Sequence, residues 1–136
     1  MATIEWKYVS PLAEGTEVEA LEQKYGYELP EDLKECIINH NAGVPSLCVF
    51  DVGKNKGLVF GGLLSFNESD LDNVYDFIDA FEPDDGNGLK MFPFGLDPAG
   101  NLLCEQNGKI VFYNHETDET TVVSDSFTEF LGKLYI

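Results

Sequence analysis

Apolar residues recur along this chain in two rhythms, a helical one near 3.6 residues and short strand-like runs broken by turn residues, and the two alternate without an internal repeat. Val18, Leu21 and Tyr25 share a helical face that opens on the Thr16–Glu19 capping-box spacing and closes at Gly26. A second helix follows at once. Leu29 leads into Pro30 at the first helical position, Glu31 and Asp32 suit the positive end of the dipole, and Leu33, Cys36, Ile37 and His40 form the buried stripe before Asn41, Ala42 and Gly43 stop it. Leu71, Val74, Phe77, Ile78 and Phe81 predict a third helix, capped by Ser69 with Asp72 and ending near Glu82 and Pro83, with Asp84–Gly88 as loop. Ser126–Tyr135, with Phe127, Phe130, Leu131 and Leu134 on one face, predicts a closing helix.

The strand-like runs are clearest from Met91 to Tyr113. Met91, Phe92, Phe94 and Leu96 lead into Asp97, Pro98, Ala99, Gly100 and Asn101, which together supply a side-chain acceptor, a fixed φ and a residue free to take φ > 0. Leu102–Glu105 is the returning strand. Asn107 and Gly108, between two apolar runs, signal a type I′ hairpin into Lys109–Asn114, and Thr120–Val123 adds a β-branched strand. Upstream, Leu47–Val52, a lysine-bearing turn at Gly53–Gly57 and Leu58–Phe66 predict another hairpin, with Gly61 and Gly62 marking a bulge or a close backbone approach. Ile4, Trp6 and Tyr8 alternate with Glu5 and Lys7 as a short docking arm. The sum is an α+β single domain over residues 1–136, mainly an antiparallel sheet of about six strands packed by about four helices.

Composition narrows the partner more than the fold. Against 25 acidic residues stand 8 basic ones, all lysine, for a formal charge of −17. Nucleic acid and anionic membrane are excluded as partners, because both bind through basic residues that displace counterions. A basic protein is the expected partner. Disorder is excluded by the aromatic content of 12% and the dense apolar runs. The N-terminus shows no basic, then apolar, leader pattern and no run is long enough to span a bilayer, so a cytoplasmic location is expected.

Enzymatic and metal chemistry find little support. Cys36, Cys48 and Cys104 are odd in number and lie among apolar neighbours in an acidic chain, which predicts buried reduced thiols and disfavours a thiolate nucleophile. His115 and Glu116 are followed by Glu119 where a zinc protease needs a second histidine. His40 ends a helical stripe near the negative end of the dipole, and neither histidine has a suggested third ligand. Asp85, Asn87 and Gly88 resemble part of a calcium loop, but the positions that should open and close it are Pro83 and Phe94. No glycine-rich phosphate loop is present. No cofactor and no metal are expected.

The order of these signals resembles the SUKH superfamily, which groups the yeast cell-wall assembly regulator type with bacterial immunity proteins. The resemblance rests on Leu29 and Pro30 opening a helix that ends in Asn41, Ala42 and Gly43, on Phe94, Gly95, Asp97, Gly100 and Asn101 at the sheet turn, and on Ser126, Phe127, Phe130, Leu131 and Leu134 in the last helix. It implies a non-enzymatic α+β domain that binds and neutralises a cognate toxin, frequently a nuclease, by non-covalent occlusion. Rival readings are an intracellular scaffold or regulatory module of the cell-wall type, disfavoured by the absence of long disordered extensions, and a carboxylate-dependent hydrolase.

Charge placement points to a partner-binding stretch. Glu68, Asp70, Asp72, Asp76, Asp79, Glu82, Asp84 and Asp85 fall within eighteen positions that contain no lysine. A nuclease carries a basic surface for its substrate, so an acidic helix face and loop would complement it, and steering could raise association to about 10⁸–10⁹ M⁻¹s⁻¹ at low salt. Tyr75, on the same stretch, is the candidate exposed aromatic anchor. A monomer or weak dimer is expected.

Overall fold

The computed structural model describes residues 4–82 and 88–136. In chain order its strands are β1 (Trp6–Lys7), β2 (Val44–Pro45), β3 (Val49–Val52), β4 (Asn55–Val59), β5 (Gly62–Leu63), β6 (Phe92–Leu96), β7 (Leu102–Gln106), β8 (Lys109–Tyr113) and β9 (Thr120–Ser124). The helices are α1 (Glu17–Tyr25), α2 (Glu31–His40), α3 (Tyr75–Ile78), continued by a 3-10 turn over Asp79–Phe81, and α4 (Phe127–Lys133). The α+β class holds.

The meander forms where its turn residues demand it. β5 to β9 lie side by side in sequence order as one antiparallel sheet, while β1–β2 and β3–β4 pair separately. Asn107 and Gly108 take φ of 52° and 87°, as a type I′ turn requires, and set Gln106 opposite Lys109. At the preceding turn Asp97 Oδ1 accepts from Ala99 N at 2.9 Å and Asn101 N at 2.7 Å, so the carboxylate holds the loop that Pro98 and Gly100 shape.

The expected strand Leu58–Phe66 is broken in two. β4 begins earlier, at Asn55, and ends at Val59; the chain then crosses to the larger sheet as β5. The cause is close packing at the two glycines. A Cβ on Gly61 would stand 2.9 Å from Leu96 O, and Gly62 has φ 150°. Phe60, at the break, is fully buried against Phe94 and Phe130.

α4 closes one face of the sheet with an aromatic cluster. Phe130 lies 5.5 Å from both Phe50 and Phe60, and Phe127 meets Phe94 edge-on at 5.6 Å. Ser126 caps its N-terminus, Oγ accepting from Glu129 N at 3.0 Å, and the helix ends at Lys133, where Leu134 turns extended, short of the expected Tyr135. Successive strand residues face opposite ways, so Phe112 against Phe50 and Tyr113 against Phe81 show the sheet covered on both faces.

Local details at the other helices depart from expectation. Thr16 makes no side-chain cap at α1; Glu17 Oε2 instead accepts from Glu14 N at 2.9 Å. Gly26 adopts the left-handed conformation that ends α1. Pro30 occupies the position before the first helical residue of α2, with φ −58° and ψ 146°. On that helix Leu33 and Ile37 are buried, whereas Cys36 and His40 are half-buried. Trp6 stacks on His40 at 5.5 Å, which docks the N-terminal arm, but Tyr8 swings out to 83% exposure.

The helix expected from Ser69 to Glu82 is replaced over its first half by irregular chain. Ser69 and Asp72 form no cap, and Leu71, expected in the core, is 91% exposed. Asp72 has φ 53°, outside the helical range. Helix begins only after Asn73, whose Oδ1 accepts from Asp76 N at 3.0 Å. Val74, Ile78 and Phe81 are buried as the apolar spacing predicts. The loop expected over Asp84–Gly88 lies, apart from Gly88, outside the described residues.

Candidate partner interface

Asparagine side chains with short range and two-sided hydrogen bonding fix the acidic stretch to the body. Asn41, fully buried at the end of α2, donates to Ser10 O at 2.9 Å and Ser65 Oγ at 3.1 Å and accepts from Phe66 N at 2.8 Å. Asn67 donates to Pro11 O at 2.9 Å and accepts from Ala13 N at 2.9 Å. The first turn of acidic chain is therefore sewn to residues 10–13. Asp70 completes the seam: its Oδ2 accepts from Ser65 Oγ at 2.7 Å and Ser10 Oγ at 2.8 Å, and these bonds hold its carboxyl below the usual range.

The acidic residues singled out by charge are thus not equivalent. Glu68, Asp72, Asp76, Asp79 and Glu82 are exposed, whereas Asp70 is half-buried and turned inward. Asp76 Oδ2 accepts from Asn73 Nδ2 at 3.1 Å, and Asp79 Oδ1 accepts from the Tyr25 hydroxyl at 2.6 Å. Burial of Tyr25, that hydrogen bond and the charges of Asp79 and Glu82 push its hydroxyl up to about 12. Asp84 and Asp85 lie outside the described residues. Tyr75 is not the free-standing aromatic anchor expected of it. Its ring is half-buried and its hydroxyl donates to Phe66 O at 2.8 Å.

The structure adds residues that charge counting along the chain could not supply. α1 packs beside the stretch, so Glu14 and Glu17 join Glu68 and Tyr75 around one cleft of about 390 Å³. Lys24 and Tyr25 join Glu68, Tyr75, Asp76 and Asp79 around a second of about 400 Å³. In the first, Glu17 Oε1 is buried without a hydrogen-bond partner among the described residues. No sequence signal separates Glu17 from the other glutamates of α1; only the packing of α1 against residues 66–75 does.

Negative charge is not confined to this face. Glu19 on α1, Glu31 and Glu35 on α2, Glu116 and Glu119 after β8, and Glu129 on α4 are exposed as well. The stretch is one side of a wider acidic field, and position within it must be read by other groups.

The thiols are chemically quiet. All three cysteines are free; Cys104 is buried, Cys36 and Cys48 half-buried. Burial, with the Asp32 charge, pushes Cys36 up to about 12, and burial raises Cys104 further. His115 is exposed, its Nε2 3.0 Å from Ala99 O. Among the described residues no three His, Cys, Asp or Glu side chains gather in a group that could hold a metal ion. No described helix is long and apolar enough to cross a membrane.

A family model described as the SMI1 / KNR4 family (SUKH-1) matches residues 13–133. The chain belongs to that family. SUKH-1 is known for immunity and regulatory proteins rather than for catalysis. Comparison with curated proteins and with solved structures gave no match. The SUKH-1 match takes in Ala13, Asn41, Ser65, Asn67 and Asp70 of the seam, though not Ser10 and Pro11, as well as the meander and α4.

Proposed function

We propose that this SUKH-1 domain is an immunity protein that binds a basic toxin domain, a nuclease by preference, in the cytoplasm of the producing cell and occludes it without covalent chemistry. The observation that carries the reading is the exposed row Glu68, Asp72, Asp76, Asp79 and Glu82, flanked by Glu14, with Lys24 the one lysine among the described residues that line its clefts. A basic protein surface gains both steering and orientation from such a row, and the short seam to residues 10–13 keeps it from rearranging on contact. Asp84 and Asp85, next in the chain, extend the same reading.

The test is co-expression with the toxin-like protein encoded beside it, using wild type and a Glu68→Gln, Asp76→Asn, Glu82→Gln variant. The amide replacements keep side-chain size, so folding is retained while three charges are removed. Wild type should restore growth and co-purify with the toxin. The variant should associate about tenfold or more slowly at low salt, with a shallower salt dependence. Unchanged association and salt dependence would remove this row from the interface.

A further inference from the structure

The apolar cleft beside β5 joins Gly61, Gly62, Val44 and Leu96 around a volume of about 290 Å³, with Leu71 and Asp72 on its rim. An exposed leucine alone needs no explanation. This one is held out by the fold. On one side of Leu71 the Asp70 carboxylate is clamped by Ser10 and Ser65; on the other, Ser65 N donates to Asp72 O at 3.0 Å and Asn73 forms a bridge with Ser65. Asn73 Nδ2 then donates to Asp70 O at 3.0 Å, closing the loop beneath Leu71. The side chain stands 91% exposed on a loop whose ordering entropy is already spent in folding.

The two glycines give the neighbouring floor its depth. Gly61 and Gly62 cannot take a Cβ without meeting Leu96 O at 2.9 Å or Gly43 O at 3.3 Å, and their bare backbone leaves the cleft open to a side chain from outside. Asp72 and Asp97 are the charged residues lining it, and no lysine does. The Asp97 carboxylate is committed to its own turn, so Asp72 is the one that faces an incoming group.

We infer that Leu71 and this cleft form the apolar centre of a docking surface for a basic protein, which inserts an aliphatic or aromatic side chain beside β5 and sets a lysine or arginine against Asp72. The inference rests on the immunity reading for the partner's role, and it moves the anchor from Tyr75 to Leu71. Charge selects the occupant. A second copy would bring its own −17 against this one, whereas a cationic partner is attracted by the same field.

A random peptide library displayed on phage and panned on the full chain tests the cleft directly. Enriched peptides should pair an aliphatic or aromatic residue with Lys or Arg, shift the amide resonances of Gly61, Gly62 and Leu96, and bind Leu71→Ser about tenfold or more weakly. Asp72→Asn, which tolerates the same left-handed backbone, should lose less and flatten the salt dependence. Absence of enrichment, equal binding to Leu71→Ser, shifts elsewhere, or a homodimer that Leu71→Ser dissociates would each overturn the inference. Co-expression separates the two levels. Full neutralisation of the toxin by Leu71→Ser would remove the cleft and leave the immunity reading standing; failure of wild type to neutralise would remove that reading while the peptides still decide the cleft.

Discussion

The meander from Phe92 to Ser124 and the stretch from Ser65 to Phe81 pack against the same core, yet they are ordered by different forces. In the meander each strand is paired along its length with its sequence neighbour, and the turns at Asp97–Asn101 and Asn107–Gly108 carry their own geometry. The acidic stretch has little ladder to lean on. Besides one isolated bridge, two short turns of helix and the buried Val74, Ile78 and Phe81, it is held by side chains of Asn41, Ser65, Asn67, Asp70, Asn73 and Tyr75 bonded to backbone and to one another, and by the Tyr25 hydroxyl on Asp79. Backbone ladders use groups that every residue but proline carries, while a side-chain network loses its bonds when one member is changed. The difference teaches where the molecule can be opened without being unfolded.

The largest expected effect lies in the shared core under the meander. Phe94, fully buried between Phe60, Phe127 and Phe130, should cost about 3–5 kcal/mol on Phe94→Ala, read as a lower denaturation midpoint that affects all regions alike. Asn41→Ala comes next. It leaves Phe66 N and Ser10 O without this partner, at about 1–3 kcal/mol for each group that stays buried and unpaired. Hydrogen exchange should show residues 65–74 opening while the meander amides stay protected; uniform loss of protection would erase the distinction between the two regions.

The smallest effect is acid loosening of the same stretch. The Asp70 carboxyl is held below its ordinary value by Ser65 and Ser10, so its contribution to stability is present above the unfolded pKa and is lost as pH falls through the folded one. Below about pH 4, exchange of the Phe66 and Asn67 amides should therefore rise before that of the meander, and Asp70→Asn should blunt the pH dependence. Parallel acid sensitivity in both regions would assign the loss to net charge instead.

The same division explains what could be read from the chain before folding. The type I′ turn, the Asp97 turn, and the burial of Leu33 and Ile37 on α2 and of Phe127 and Phe130 on α4 are local, and each appears where its residues predict it. The acidic stretch misled because Leu71 fits a helical spacing, and spacing is silent about partners. Asn67, Asp70 and Asn73 bond to residues brought near by folding or to their own turn, which sets Asp72 at positive φ and withdraws residues 69–74 from the helix. Glu14 and Glu17 were likewise invisible as neighbours of Glu68, since more than fifty residues separate them in the chain.

By itself the sequence determined the α+β class, the meander with its turns, the positions of α1, α2 and α4, and a formal charge of −17. Each of these is written in periods and turn residues that act over a few positions. Only the tertiary structure decided that Asn41 is a buried junction rather than a helix stop alone, that Tyr75 turns inward, and that Leu71 stands outside beside a glycine-floored cleft. A side chain's hydrogen-bond partners and exposure depend on what the rest of the chain places around it, and no local pattern encodes that.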